Sequence, residues 1–332
     1  MNNIILIYSI ISFFLLFVIS KVSYWFNLVD FPNKRKIHSK NTVYTGGIAI
    51  SLSLIFSNLI FDINIYFLNL IISISFLISL IGLIDDKFNL TAGEKLSLQV
   101  VPIFYLIFVE KLFINNLGEY DYFKIELGTF ALPFTSLSVL FLINSFNYFD
   151  GLDGTLSFTT FSVIAILYFL YPDKNFQFFL IIILIPISLF LLFNFSHFSL
   201  PKMFLGDSGS LMIGFVIAFI LIYIAKLNII HPILLAWSVV IFVYEFLSIN
   251  IIRLKNKVNP IKPGLDHLHH ILFKKTKSIF FTNLYIFLGN IILFIIGYLT
   301  FKFYNSLTSL ILFILCFNIY IVIRYKISKK II

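Results

Sequence analysis

Long apolar runs separated by short polar breaks set the pattern of this chain. Segments free of Asp, Glu, Lys and Arg occupy residues 1–20, 41–61, 63–84, 96–109, 127–149, 154–172, 175–201, 208–225, 227–244, 278–301 and 303–323. A helix of about 20 residues crosses a hydrocarbon core about 30 Å thick. Eleven runs therefore predict eleven transmembrane helices. A transmembrane barrel needs strands of alternating polarity, whereas these runs are apolar on every face. The run 96–109 is short and calls on Lys95 to snorkel towards the headgroups. Residues 1–20 have no preceding positive charge and no small-x-small cleavage site, and Lys21 follows them, so they read as a retained first helix with its N-terminus outside. The expected fold is an all-α, polytopic helical bundle of one membrane-embedded domain, residues 1–332.

Charge fixes the orientation. Alternate crossing places residues 27–44, 85–95, 150–154, 196–207, 253–277 and 324–332 in the cytoplasm. Those segments and Lys21 hold nineteen Lys and Arg residues, against five on the outer side: Lys111, Lys124, Lys174, Lys226 and Lys302. This follows the positive-inside rule and puts the C-terminus inside.

Composition agrees. The 332 residues are 60% hydrophobic and 12% charged, and a soluble domain carries about twice that share of charge. Cys316 is the single cysteine, so an internal disulfide and cysteine-based metal sites are excluded. The net charge of +9 is accounted for by basic residues meeting anionic lipid, without a nucleic acid partner.

The acids carry the chemistry. Asp30, Asp85, Asp86, Glu94, Asp150, Asp153, Asp207 and Asp266 fall on the cytoplasmic side near helix ends, and Glu245 lies close to the ninth apolar segment. Asp85 and Asp86 are adjacent carboxylates about 100° apart on a helix. Such a pair suits a divalent cation or a cationic group, or else two solvated end caps. Asn144, Asn147, Asp150 and Asp153 recur every three residues, with Gly151 and Gly154 unwinding the helix end. They form hard oxygen ligands of the kind Mg²⁺ prefers, or hydrogen-bonding glue between helices. Asp207 precedes Ser208-Gly209-Ser210 and reads as an N-cap, or as a carboxylate beside phosphate-binding amides. His267, His269 and His270 stand among Lys255, Lys257, Lys262, Lys274, Lys275 and Lys277, a setting for an anionic substrate. Together these groups describe a cytoplasmic site for Mg²⁺ and a diphosphate. Phosphoryl transfer needs little beyond such neutralisation and positioning.

The motifs resemble those of the polyprenyl-phosphate N-acetylhexosamine-1-phosphate transferases, glycosyltransferase family 4, in the GlcNAc-1-phosphate branch. In family order they are Asp30-Phe-Pro-Asn-Lys-Arg35-Lys36-Ile-His38 with Gly46-Gly47, then Gly82-Leu-Ile-Asp85-Asp86 with Lys95-Leu-Ser-Leu-Gln99. Asn147-x-x-Asp150-Gly-Leu-Asp153-Gly154, Leu205-Gly-Asp207-Ser-Gly-Ser210 and His267-Leu-His269-His270 follow. The chain departs from the family at Gly264-Leu265, where an Asp-Arg pair is usual, at Tyr44 for proline, and at Glu245 for Asp.

The resemblance implies that a polyprenyl phosphate, such as undecaprenyl phosphate, attacks the β-phosphorus of a UDP-N-acetylamino sugar and releases UMP, with Mg²⁺ required and Mn²⁺ as a substitute. It implies metal ligation by Asp207 and Asn147, and substrate contacts from Arg35, His38, Lys95, Asn144 and Gly154. It further implies catalytic roles for Asp85, Asp86, Asp150, Asp153, His267, His269 and His270. A phosphate monoester with a second pKa of about 6 is already largely dianionic at pH 7, which favours positioning over a strong base. The product would begin a lipid-linked envelope glycan, such as an O-antigen of lipopolysaccharide, at the inner membrane. A homodimer is an open assembly state. The competing class is a transporter of a metal ion or anion, which needs polar residues near mid-membrane.

Overall fold

The computed structural model describes residues 2–31, 41–61, 63, 65–259, 264 and 266–328. In chain order the elements are α1 (Asn2–Trp25), β1 (Val29–Asp30), β2 (Thr42–Val43), α2 (Gly46–Ile60), α3 (Tyr66–Phe88) and α4 (Ala92–Phe104). Next come β3 (Asn116–Tyr120), β4 (Phe123–Glu126), α5 (Ala131–Asn147), α6 (Thr155–Leu170), α7 (Lys174–Asn194) and α8 (Gly206–Lys226). The chain ends with α9 (Pro232–Ser238), α10 (Val240–Lys255), α11 (Leu268–Thr276), α12 (Ile279–Phe303) and α13 (Ser306–Ser328).

The architecture is that of an all-α, polytopic membrane protein. Among the described residues eight helices are long and apolar enough to cross a membrane, or nine if α9 and α10, bent by 74°, count as one span. Two shorter apolar helices, α2 and α6, have 15 and 16 residues. Every apolar run of the sequence thus carries a helix, but not every helix reaches spanning length by itself.

Two boundaries differ from expectation. The short run 96–109 belongs to a longer helical stretch, Ala92–Val109, because its first turn uses charged residues. Glu94 Oε2 accepts from Thr91 N at 2.8 Å and Thr91 Oγ1 accepts from Glu94 N at 3.4 Å. This capping box satisfies amides that have no intrahelical partner. After Pro102, which lacks an N–H, the stretch ends in a wider turn over Tyr105–Val109. The segment 110–126 holds an antiparallel hairpin, β3 with β4, with a register shift between Asn116 and Glu119. Gly118 sits in that shift at φ +116°, and the His231 ring fills the space that a Cβ would need.

The helices divide into two compact units interleaved in sequence: Met1–Tyr105 with Tyr171–Ile220, and Leu106–Leu170 with Leu221–Ile332. In the first, α1 packs on α2 and α7, α2 packs on α3, and α3 packs on α4. Small polar residues allow these close approaches. Ser23 and Thr45 share a hydrogen bond of 2.6 Å, and Ser51 donates to Ser79 at 3.1 Å. In the second unit α12 is the centre, packing on α6, α9, α10, α11 and α13.

Asn290 of α12 explains how the α9–α10 bend survives in an apolar setting. The break leaves backbone groups without helical partners, which is costly away from water. Asn290 Nδ2 donates to Ser238 O at 3.0 Å, and its Oδ1 accepts from Ile241 N at 3.3 Å. The side chain is fully buried.

Candidate functional site

In the first unit, backbone pairing positions the acids. Phe204 N donates to Val43 O at 2.8 Å, Gly46 N to Phe204 O at 3.0 Å and Gly47 N to Leu205 O at 2.9 Å. The start of α8 is thereby fastened to the start of α2. Gly47 is required by the contact, since a Cβ there would meet the backbone of Gly209. Gly206, at φ +73°, makes the turn into α8. Asp207 follows it inside the first helical turn, so it is not an N-cap.

Lys95, at the start of α4, joins two carboxylates. Its Nζ lies 2.7 Å from Asp85 Oδ2 and also donates to Asp207 Oδ2. Asp85 additionally accepts from Leu90 N at 3.0 Å. Asp86 points elsewhere: its Oδ2 accepts from Ser208 N at 3.4 Å, at the electropositive start of α8. The divergence anticipated for adjacent helical positions is therefore realised. One acid serves the lysine and the other the helix terminus.

This donor set fits Mg²⁺. Three carboxylates are organised around one ammonium and one helix end, so negative charge exceeds its compensation. Among the described residues, no three His, Cys, Asp or Glu side chains form a metal cage. Mg²⁺ does not need one, because it commonly takes one or two carboxylates and completes its octahedron with water and substrate phosphates.

The second unit carries the amides and histidines. α5 ends at Asn147, a turn runs through Asp150 and Asp153, and Gly154 at φ +73° leads into α6. Asp150 and Asp153 are half-buried. Asn144 Nδ2 donates to Leu140 O at 2.7 Å, within its own helix. Asn283 of α12 secures the turn: its Nδ2 donates to Asp153 O at 2.9 Å and its Oδ1 accepts from Thr155 Oγ1 at 2.7 Å.

The three histidines open α11. His267 is the N-cap residue, and its ring stacks parallel to His269 at 5.7 Å and meets Tyr148 edge-on at 4.8 Å. His269 and His270 are 4.2 Å apart. Gly151 is needed here too, because a Cβ would run into His269 Nε2. Burial, with the neighbouring imidazoles, holds His269 well below the ordinary imidazole value. Burial, then His267 and Lys274, push His270 down to about 4, and burial lowers His267 as well. These are neutral imidazoles at pH 7. They can bind substrate through hydrogen bonds. His269 Nε2 and His267 Nδ1 are buried and lack a hydrogen-bond partner among the described residues.

Arg35 and His38 lie outside the described residues, as does Lys262. The structure brings Asp85, Asp86, Lys95 and Asp207 together in the first unit. It gathers His267, His269, His270 and Gly151 in the second, where Asn144, Asn147, Asp150, Asp153 and Gly154 also belong. Sequence reasoning missed Arg324. Counted with the basic inner-leaflet tail, it is instead buried and paired with Glu245 at 2.9 Å. The signal was available in Glu245 itself, since a buried carboxylate calls for a counter-charge. Asn283 and Asn290, the two amides of the largely apolar helix α12, were equally visible and equally overlooked.

Residues 68–225 match the family described as "Glycosyl transferase family 4". That region contains the acid–lysine cluster and the Asn147–Gly154 turn, and the histidines lie beyond it. The chain is 29% identical over 266 residues to the undecaprenyl-phosphate alpha-N-acetylglucosaminyl 1-phosphate transferase of Yersinia pestis, covering 78% of this chain and 73% of that protein. It is 28% identical over 286 residues to the protein of the same name from Escherichia coli K12, covering 82% and 78%. A probable undecaprenyl-phosphate N-acetylglucosaminyl 1-phosphate transferase of Bacillus subtilis is 29% identical over 271 residues, covering 77% and 72%.

Proposed function

The chain belongs to glycosyl transferase family 4, and from that premise we propose that it moves an N-acetylamino-sugar 1-phosphate from a UDP-sugar to polyprenyl phosphate, undecaprenyl phosphate foremost. An oxygen of the lipid phosphate attacks the β-phosphorus of the donor. The bond from that phosphorus to the bridging oxygen breaks, and UMP leaves with the electron pair. The product is a polyprenyl-diphospho-sugar. The observation that carries this reading is Lys95 held between Asp85 and Asp207. An ammonium flanked by acids, next to a helix start, suits a diphosphate that arrives with a divalent cation.

Each residue then has a task. Lys95 binds the donor's diphosphate, exchanging one carboxylate partner for a phosphate oxygen. Asp207 would hold Mg²⁺, and the family resemblance adds Asn147 as a second ligand; when bound, the ion would neutralise phosphate charge as a Lewis acid. Asp85 and Asp86 position the lipid phosphate. His267, His269 and His270 offer uncharged ring nitrogens to sugar or phosphate oxygens. Asp150 and Asp153 order the turn or meet the uridine. A transport role would draw on deep polar groups, yet Glu245 is already neutralised by Arg324.

The proposal includes the orientation: eleven crossings, the N-terminus outside and the reactive helix ends in the cytoplasm of the inner membrane. Cysteine placed at residue 266 is then labelled from the cytoplasm, and cysteine at residue 119 from outside. The functional test incubates purified protein with undecaprenyl phosphate, Mg²⁺ and a panel of UDP-amino sugars, and identifies the lipid product by mass spectrometry. One sugar should yield a diphospho-sugar lipid. Absence of that product with every donor would overturn the proposal.

A further inference from the structure

Glu245 of α10 and Arg324 of α13 are both buried, at 1% and 3% exposure. Arg324 Nε donates to Glu245 Oε2 at 2.9 Å and Nη2 donates to Oε1 at 2.9 Å. Tyr320 Oη adds a third donor to Oε2 at 2.6 Å. These bonds alone would neutralise the carboxylate.

Two further bonds leave the pair and grip the backbone of a neighbouring segment. Glu245 Oε1 accepts from Leu268 N at 2.7 Å, and Arg324 Nη2 donates to the carbonyl oxygen of Asp266 at 2.7 Å. The ion pair therefore holds the chain on both sides of His267, by the carbonyl before it and the amide after it. His267 is the N-cap of α11, yet its side chain makes no capping bond. Glu245 supplies an acceptor to the helix start in its place, from another helix. The side chain of Asp266 is tied in the same direction, accepting from Arg253 Nε at 3.0 Å and Nη2 at 2.6 Å.

A buried ion pair is weak evidence for stability, because apolar residues of similar size often serve as well or better. Its better-attested use is to fix registry. We propose that Glu245 and Arg324 are positioning residues, a latch that sets the backbone of residues 266–268 and so aims His267, His269 and His270. What the histidines contact rests on the proposed function, but the latching of their turn does not. The latch also assigns α13 a task. Six percent of its window is buried, so the helix contributes little core, and it delivers one guanidinium and one phenol to the base of the histidine helix.

The test uses the full chain in detergent with two variants. Glu245→Leu with Arg324→Met removes both charges and leaves no unpaired one. Arg324→Lys keeps the charge opposite Glu245 but offers one nitrogen where the guanidinium reached three acceptor oxygens, and it decides the question if the double variant does not fold. Hydrogen exchange followed by mass spectrometry should show the amides of residues 266–271 exchanging about tenfold faster or more, with α12 unchanged. Misplacement of about 1 Å can cost about 100-fold in rate, and a loss of that order is expected in kcat/KM for the UDP-sugar. The KM for the UDP-sugar should rise while that for polyprenyl phosphate holds, a split that a smaller folded fraction would not give, since it lowers the apparent kcat and leaves both KM values unchanged. Wild-type exchange with wild-type turnover in a folded variant overturns the latch. If wild-type protein transfers no sugar phosphate, the functional reading fails, and the exchange measurement still decides the latch.

Discussion

Gly82 of α3 lies against the backbone of Asp207, so that a single methyl at Gly82 would collide with the Asp207 carbonyl group and with Ser208 N. The two residues are 125 positions apart, and their contact sets the distance between the end of α3, which carries Asp85 and Asp86, and the first turn of α8. Three glycines, Gly46, Gly47 and Gly82, keep this corner tight. Close backbone approach, rather than any one side chain, is what lets Lys95 reach two acids at once.

Gly82→Ala is therefore expected to do more than crowd a helix. Overpacking costs about 1–3 kcal/mol, and the displaced Asp207 loses its place beside Lys95. UMP release should fall more steeply than the folded fraction, measured in the same detergent by thermal unfolding. Full activity in the folded variant would show that α3 and α8 have room to spare.

Lys95→Ala removes the cation shared by Asp85 and Asp207. A hydrogen bond to a charged group is worth about 1.5–3 kcal/mol, hence about a tenfold or greater loss in substrate engagement. Steady-state kinetics should show a raised KM for the UDP-sugar, with Lys95→Arg retaining part of the affinity. An unchanged KM would remove Lys95 from the donor site.

The histidine turn makes stability depend on pH. In the unfolded chain His270 takes up its proton near 6.5, while in the folded protein burial and the neighbouring His267 and Lys274 delay this to about 4. Between those values the unfolded state binds more protons, so stability is lost as pH falls through the window and regained as it rises. The melting temperature should decline from pH 7 to pH 5, and His270→Gln should flatten that decline. A slope of the opposite sign would mean that the imidazole is charged in the folded state.

Asn290→Leu should destabilise the second unit while preserving apolar volume. The bend between α9 and α10 would then leave Ser238 O and Ile241 N unpaired, at about 1–3 kcal/mol for each buried group. Thermal unfolding in detergent should register a lowered midpoint. An unchanged midpoint would show that the break satisfies itself by other means.

The apolar runs made the helices legible, because in lipid a segment must satisfy its own backbone and only helices of sufficient length can do so. The polar clusters Asp85-Asp86, Asp207 and His267–His270 were legible for the same reason, since acids and amides at helix ends stand out against an apolar ground. What the pattern did not disclose was pairing. Lys95 could be read as a snorkelling end residue or as a phosphate contact, and its pairing with two carboxylates was not visible. Arg324 looked like an inner-leaflet charge and proves to be buried on Glu245. Hydropathy reports one residue at a time, whereas a buried charge is explained by its partner, here 79 positions away. The 110–126 hairpin was hidden because two strands of five and four residues are too short to show alternation.

The acid–lysine cluster is the part of the molecule to which the transfer is assigned. The most direct test compares UMP release from a UDP-amino sugar, with undecaprenyl phosphate and a Mg²⁺ titration, by the wild-type protein and by Asp207→Asn of equal melting temperature. Mg²⁺-dependent release is expected from the wild type, and none above background from the variant at any Mg²⁺ concentration. Release by Asp207→Asn at the wild-type rate, with the same Mg²⁺ dependence, would contradict that assignment.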